Sequence, residues 1–392
     1  MRRGRTRSGL ADARGGDVAG LTPRDTRALL LAGALYAAIV IPIGIHKGGD
    51  FTQELTQSER LLRGLPLYVA NPEKGVWWPP FTALGLVPFA LVARWSLAAA
   101  KTGWALLNVF CLGWTLARAR AWTAAWAPIA VTVAAVAKPL QSNFEHLNLT
   151  PILLALIVAA AADLESRRDT RAGVWIGAAT AIKGFPALLL LYLACRGRWR
   201  GLATGVAVAG GLTLGAMLPY GPPPVGAATA VLDWLRITHQ GAVLTRYGTQ
   251  SLPGFAFFFG WPSAVVLALE LCCFAAVAFA LGRPASGDAI FFDIGAVTLL
   301  AVLVSPIAWL YYYTLAFPAW LALLQRPRPY DPWVRASLLI AGVLTSGVLT
   351  FGLYPNFLWF IRDPNYTWGG LALLAVLVLA RSPEPRLVPQ PV

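Results

Sequence analysis

Apolar runs close to or longer than about 18 residues recur along this chain, and each is long enough to cross a hydrocarbon core about 30 Å thick. The first is "LLLAGALYAAIVIPIGI", residues 29–45. Lipid offers no partner for backbone N–H and C=O groups, so such a run must satisfy them within itself, as a helix. Candidate spans lie at 28–45, 78–93, 97–117, 121–137, 148–163, 172–195, 201–219, 256–282, 289–304, 308–325, 333–351 and 367–381. Only 13% of the residues are charged and 57% are hydrophobic, against about 25% charged in a soluble chain. The expected fold is therefore all-α and polytopic, with about 10–12 transmembrane helices in one embedded domain over 28–381. Basic, polar residues 1–27 read as a disordered cytoplasmic tail, and 382–392 as a short second one.

The net charge of +14 does not point to nucleic acid. The cations cluster at the ends of apolar runs, as the positive-inside rule expects, and the 16 tryptophans fit interfacial belts. No nucleic-acid motif accompanies them. Cys111, Cys195, Cys272 and Cys273 lie in or beside apolar runs with no CxxC or Cys/His spacing, and read as apolar fillers. "IPIGIHKGG" offers no cleavage site, so the first helix is expected to remain as an anchor.

With the basic N-terminus inside, the loops at 46–77, 220–255, 305–308 and 352–366 lie outside. Arg196, Arg198, Arg200, Arg283 and Arg381 then fall inside. Twelve full crossings place Arg118, Arg120, Arg167, Arg168 and Arg171 outside, against the rule, and two half-crossings in this region would repair it. The 172–195 run is one candidate, because "AIKGFPALL" interrupts it with Lys183, Gly184 and Pro186.

In the first outside loop, Phe51, Leu55, Leu62 and Leu65 recur at helical spacing, with Glu54, Glu59, Arg60 and Arg63 on other faces. This describes an amphipathic helix in the membrane interface. Trp77 and Trp78 mark the interface just before the next helix. The 220–255 loop holds a short helix, "ATAVLDWLRITH". No internal repeat is evident.

Ionisable and hydrogen-bonding groups within or beside spans are costly, which makes them functional candidates. Asp50, His46 and Lys47; Tyr68 and Trp78; Glu145, His146 and Asn148; Arg246 and Gln250; and Trp309, Tyr311 and Tyr312 occur in segments able to share one outer cavity. Plainer roles stand beside each. Asp50 can cap the helix over 51–63, Lys183 can snorkel to a headgroup, and the tyrosines can form an aromatic belt. Glu270, within a span, reads as an interhelical hydrogen-bonding group.

The motifs "GGDF", "LLRGLPLY", "WWPPF", "HLNLTPILLALI", "AAIKGFPALLLLYL", "GTQSLPG" and "SPIAW" follow one another in this order. From about residue 46 to about 325 the series resembles the glycosyltransferase family 87 proteins, membrane-embedded GT-C mannosyltransferases that use polyprenyl-phosphate-mannose. The chain departs from the family pattern at Trp78, where tyrosine is usual, and at Thr249, where asparagine is usual. Glu145 and His146 replace a Gly-Gln pair, although Asn148 is kept. Tyr311 and Tyr312 replace two histidines, and tyrosine can hydrogen-bond a phosphate or sugar but carries no positive charge.

The resemblance implies transfer of a hexose, mannose in the family, from a polyprenyl-phosphate donor to a glycolipid or glycan acceptor, with inversion, at the outer face of the cell membrane. It implies Asp50 as the general base. Arg246, Lys183, Tyr311 and Tyr312 are the candidates for donor phosphate and lipid. His46, Tyr68, Trp78, His146, Asn148, Gln250, Ser251 and Trp309 are the candidates for sugar and acceptor. No metal or other cofactor is expected. A flippase for lipid-linked saccharides, a degenerate GT-C scaffold and an enzyme using a polyprenyl-phosphate-pentose donor stand as alternatives.

Overall fold

The computed structural model describes residues 21–68, 78–123, 125–221, 225–244, 249–283, 289–325, 331–347 and 365–380. Helix α1 (Pro23–His46) opens with a capping box in which Thr22 and Asp25 satisfy each other's backbone groups, the pattern that stabilises a helix N-terminus. Helix α5 (Leu97–Trp122) runs antiparallel to it. Lys101 Nζ donates to Ile45 O at 3.0 Å at one end, while Trp126 Nε1 donates to Asp25 at 2.8 Å at the other. These contacts define two ends of the bundle, one carrying Asp50 and the other Asp25.

Helices α6 (Trp126–Ala135) and α7 (Ala137–His146) make one kinked run back to the Asp50 end. Helix α8 (Thr150–Glu165) returns, and its Asp163 accepts from Trp175 and pairs with Arg171. Helix α9 (Asp169–Ile182) rises again. At Lys183 the chain turns, and a 3-10 turn (Phe185–Ala187) leads into α10 (Leu188–Cys195), which descends. Helix α11 (Trp199–Met217) then rises parallel to α9. Two G-x-x-x-G stretches make this possible: a Cβ on Gly173 would stand 2.2 Å from Gly201 O, and one on Gly177 2.5 Å from Gly205 O. Small residues at this spacing let membrane helices touch backbone to backbone.

Helix α12 (Val225–Leu244) and the short α13 (Leu252–Phe258) follow at the Asp50 end. Helix α14 (Ser263–Gly282) descends and α15 (Ala289–Leu303) returns. A 3-10 turn (Leu310–Ala316) and α16 (Phe317–Leu324) go back down. Helix α17 (Pro332–Thr345) and the antiparallel α18 (Asn365–Ala380) complete the described chain, with Gly369 against Leu344 and Thr345. This is an all-α polytopic membrane protein. Three described segments, Pro23–His46, Trp199–Tyr220 and Ser263–Gly282, are long and apolar enough to cross a bilayer alone.

The arginines that broke the charge rule lie at the Asp25 end. Arg120 donates to Thr123 O beside Trp126, Arg171 pairs with Asp163, and Arg196 and Arg198 pair with Asp293 and Asp169. Two changes to the expected spans produce this. The 78–93 run does not cross. It forms α3 (Pro80–Gly85) and α4 (Val87–Ala93), which pack on α2 (Gly49–Leu62) at the Asp50 end. The 172–195 run is two antiparallel arms rather than one. The number of runs is unchanged, but the segments between these points reverse direction.

Helix α2 also corrects the expected amphipathic pattern. Phe51 and Leu55 are buried, Phe51 stacking on Trp104 at 5.5 Å. Glu54, Gln57 and Ser58 are buried beside them, whereas Leu62 and Leu65 are exposed. Glu59 stays partly exposed, in a two-point contact with Arg94 at 2.8 and 3.0 Å that ties α2 to the end of α4. Glu270 makes no hydrogen bond among the described residues.

Candidate active site

Gly48 decides where Asp50 goes. Its φ is +26°, and a Cβ there would meet Gly44 O at 2.4 Å, so only glycine takes this sharp turn without strain. The turn ends α1 and starts α2 with Gly48 as N-cap, putting Asp50 in the first turn of α2. Asp50 is therefore not the cap of this helix, and its carboxylate is bonded to Asn148 and Tyr311 instead.

The Asp50 carboxylate is held from two sides. Asn148 Nδ2 donates to Oδ2 at 2.9 Å, and the Tyr311 hydroxyl donates to the same oxygen at 3.0 Å. Leu149 N–H donates to Asn148 Oδ1 at 2.9 Å, which fixes the amide orientation and turns its NH2 toward Asp50. Leu147, just before, has φ +53°, a conformation costly for a branched residue. It is held there by Trp104 Nε1, which donates to Leu147 O at 2.8 Å. Oδ1 of Asp50 accepts no hydrogen bond from the described residues.

Lys183 stands in the turn between α9 and the 3-10 turn that precedes α10, at the same end. Thr82 Oγ1 donates to Ile182 O at 2.9 Å and pins α3 beside it. The ammonium lies 5.1 Å from the Trp78 ring and 5.4 Å from the Tyr312 ring, within cation–π range. Burial pulls the Lys183 pKa down to about 8, against the opposing charges of Glu54 and Asp50. Burial pushes the Glu54 carboxyl well above the usual carboxylate range, against the pull of Lys183. Glu54 joins this centre although its place among hydrophilic residues of an amphipathic helix gave no sign of it. Its one signal was position, four residues after Asp50 and so on the same helical face.

The other candidates separate by placement. Tyr68 donates to Trp78 O at 2.7 Å, and Trp78 is buried rather than interfacial. Tyr311 and Tyr312 are buried as well, not part of a lipid-facing belt. His146 is exposed, with its ring 5.8 Å from Tyr311 and Nδ1 2.9 Å from Ser142 O, which it meets as a donor. His46 is exposed at the last turn of α1. Lys47 and Glu145 pair at 3.4 Å at the rim.

Gln250 is buried and takes part in a structural joint: its N–H donates to Ala308 O at 2.6 Å, its carbonyl accepts from Tyr313, and Oε1 accepts from Tyr366 N–H. Ser251 is fully buried, with an unpartnered hydroxyl. Trp309 is half-buried and its carbonyl accepts from Tyr312 N–H. Arg246 and Trp77 lie outside the described residues. No three His, Cys, Asp or Glu side chains gather among the described residues.

A carboxylate with one oxygen anchored, near a half-buried cation set against aromatic rings, can accept a proton beside a spot that stabilises an anion. The family model for glycosyltransferase family 87 matches residues 77–306, more than half of the chain. Asp50 and the two tyrosines lie outside that match, and the fold brings them to it.

Two relatives match over most of their length. The polyprenol-phosphate-mannose-dependent alpha-(1-2)-phosphatidylinositol mannoside mannosyltransferase of Mycolicibacterium smegmatis is 25% identical, over 93% of this chain and 92% of that protein. An alpha-(1->3)-arabinofuranosyltransferase of Corynebacterium glutamicum is 26% identical, over 73% of this chain and 69% of that protein. The chain belongs to glycosyltransferase family 87.

Proposed function

We propose that this membrane glycosyltransferase moves a mannosyl unit from a polyprenyl-phosphate donor to a hydroxyl of a glycolipid or envelope glycan, with inversion, at the extracytoplasmic face of the cell membrane. The observation that carries the reading is the Asp50 carboxylate, oriented by Asn148 and Tyr311 with Lys183 nearby. The acceptor oxygen attacks the anomeric carbon as the bond from that carbon to the phosphate oxygen breaks. The hydroxyl proton passes to Asp50, and the polyprenyl phosphate departs with the electron pair. Lys183 supplies positive charge for the departing phosphate, which needs no proton of its own. Arg246, in the motif "RYGTQSL", is the second cation assigned to that phosphate. The arginines at the opposite end support the sidedness, since cytoplasmic ends collect Lys and Arg.

Mannose is preferred because the mannosyltransferase relative aligns with nearly the whole chain, whereas the arabinofuranosyltransferase covers less of it. The test is incubation of purified protein and host membranes with radiolabelled polyprenyl-phosphate-mannose or polyprenyl-phosphate-arabinose, followed by identification of the labelled product. Mannosyl transfer alone is expected. Transfer from the pentose donor alone would overturn the sugar assignment. Movement of labelled lipid across vesicles without a new glycosidic bond would identify a flippase instead.

A further inference from the structure

A second cavity of about 310 Å³ opens next to the site, between the 66–68 segment, the end of α11 and α12. Its lining includes Tyr68, Met217, Tyr220, Thr229, Ala230 and Asp233. The floor is a small apolar cluster, apart from the main core, that joins Leu61, Leu67, Ala83, Met217 and Ala227. The Tyr220 hydroxyl is buried and has no partner, an arrangement that costs about 1–3 kcal/mol unless something fills it. Thr229 and Asp233 are exposed at the mouth. Among the described residues, Asp233 is the charged side chain in the lining, and Arg60 lies near enough to act on Tyr220.

Only a thin partition separates this space from the Asp50 site. Tyr68, which lines the cavity, donates to Trp78 O, and the Trp78 ring faces Lys183 on the other side. We infer that the cavity lined by Tyr68, Tyr220 and Asp233 is a subsite for a neutral sugar ring of the acceptor, next to the reacting centre. The inference rests on the glycosyl-transfer reading. The volume suits one small polar ligand. Two phenol rings offer faces for a pyranose, and the buried Tyr220 hydroxyl and the Asp233 carboxylate offer hydrogen bonds to its hydroxyls. A phosphate-bearing group meets the Asp233 carboxylate in the lining, so the acceptor's anionic part belongs elsewhere.

The probe is octyl α-mannopyranoside, titrated against the full chain in nanodiscs free of glycoside detergent. Saturable binding is expected, and octyl phosphate should not displace the probe. Tyr220→Phe, which keeps the ring and removes the hydroxyl, should weaken binding about two- to tenfold. Ala230→Trp, which fills the cavity, should abolish it. No saturable binding, wild-type affinity in both Tyr220→Phe and Ala230→Trp, or displacement by octyl phosphate overturns the subsite. If binding follows the expected pattern but no polyprenyl donor yields a glycosidic bond, the subsite stands and the transfer reading fails.

Discussion

The Tyr311 hydroxyl donates to Asp50 Oδ2 at 3.0 Å, across 261 residues of chain. Tyr311 holds a position where the family pattern carries histidine. A neutral phenol can orient a carboxylate, but unlike an imidazolium it adds no charge. Among the described residues, Lys183 brings a cation to the site, packed against Trp78 and the neighbouring Tyr312.

Removing the proton acceptor is the most direct test of the reaction. Asp50→Asn keeps the shape and the Asn148 contact. It should lower kcat about 10²–10⁴-fold, the range of a general base, with little change in donor affinity. Turnover at the wild-type rate in the purified variant would remove Asp50 from the chemistry.

Tyr311→Phe deletes one hydrogen bond to the carboxylate and leaves the packing. Bonds to charged groups contribute about 1.5–3 kcal/mol, so kcat should fall roughly 10- to 100-fold. Asn148→Ala should act in the same direction. The double variant should lose less than the sum, because both residues hold the same oxygen. Full additivity would mean the two act independently.

Lys183 gives the reaction an alkaline limit. Its pKa is lowered to about 8, so transfer should fall as pH rises through about 8 and the ammonium loses its proton. Lys183→Arg, always protonated, should move that limit to higher pH even if the rate drops. Glu54→Gln removes a carboxyl that in its ionised form favours the ammonium and should move it to lower pH. A profile unchanged in both variants would separate Lys183 from the leaving phosphate. The same shift makes the folded state bind this proton less tightly than the unfolded chain. Stability should therefore rise, not fall, with pH between about 8 and the unfolded-state value of about 10.4.

The turn at Gly48 is testable by stability alone. Gly48→Ala forces a Cβ to within 2.4 Å of Gly44 O at positive φ, which should cost on the order of 1–3 kcal/mol and lower Tm. Gly49→Ala meets nothing within 4 Å and should be nearly silent. Equal losses at both positions would mean that the Gly48 conformation is not what sets the approach of α2.

Residue types and motif order make Asp50, Asn148, Lys183, Trp78, Tyr311 and Tyr312 candidates, and the structure places them close together. Gln250 is a candidate of the same kind, yet its hydrogen bonds join the 250 and 366 segments and the 308 backbone. A buried glutamine in a motif looks the same in sequence whether it binds a sugar or closes a loop. Glu54 is the opposite case. A glutamate in a helix that also carries arginines reads as surface, and only the packing of α3 and α4 over α2 shows it to be buried.

By itself the sequence determined the class of fold. Runs of apolar residues this long have one stable backbone solution in lipid, the helix, and their number and the clusters of arginine at their ends follow from composition. Only the tertiary structure decided which end of the bundle each polar residue occupies. Hydropathy scores the 78–93 and 172–195 runs as one crossing each. In the fold the first does not run through the bundle, because α3 and α4 pack against α2, and the second folds back on itself at Lys183, because α9 and α11 lie parallel through their glycines with α10 connecting them. Those two packing choices put Lys183 at the Asp50 end and the arginines at the other. Side-chain contacts between helices set them, and no count of apolar residues along one helix contains that information.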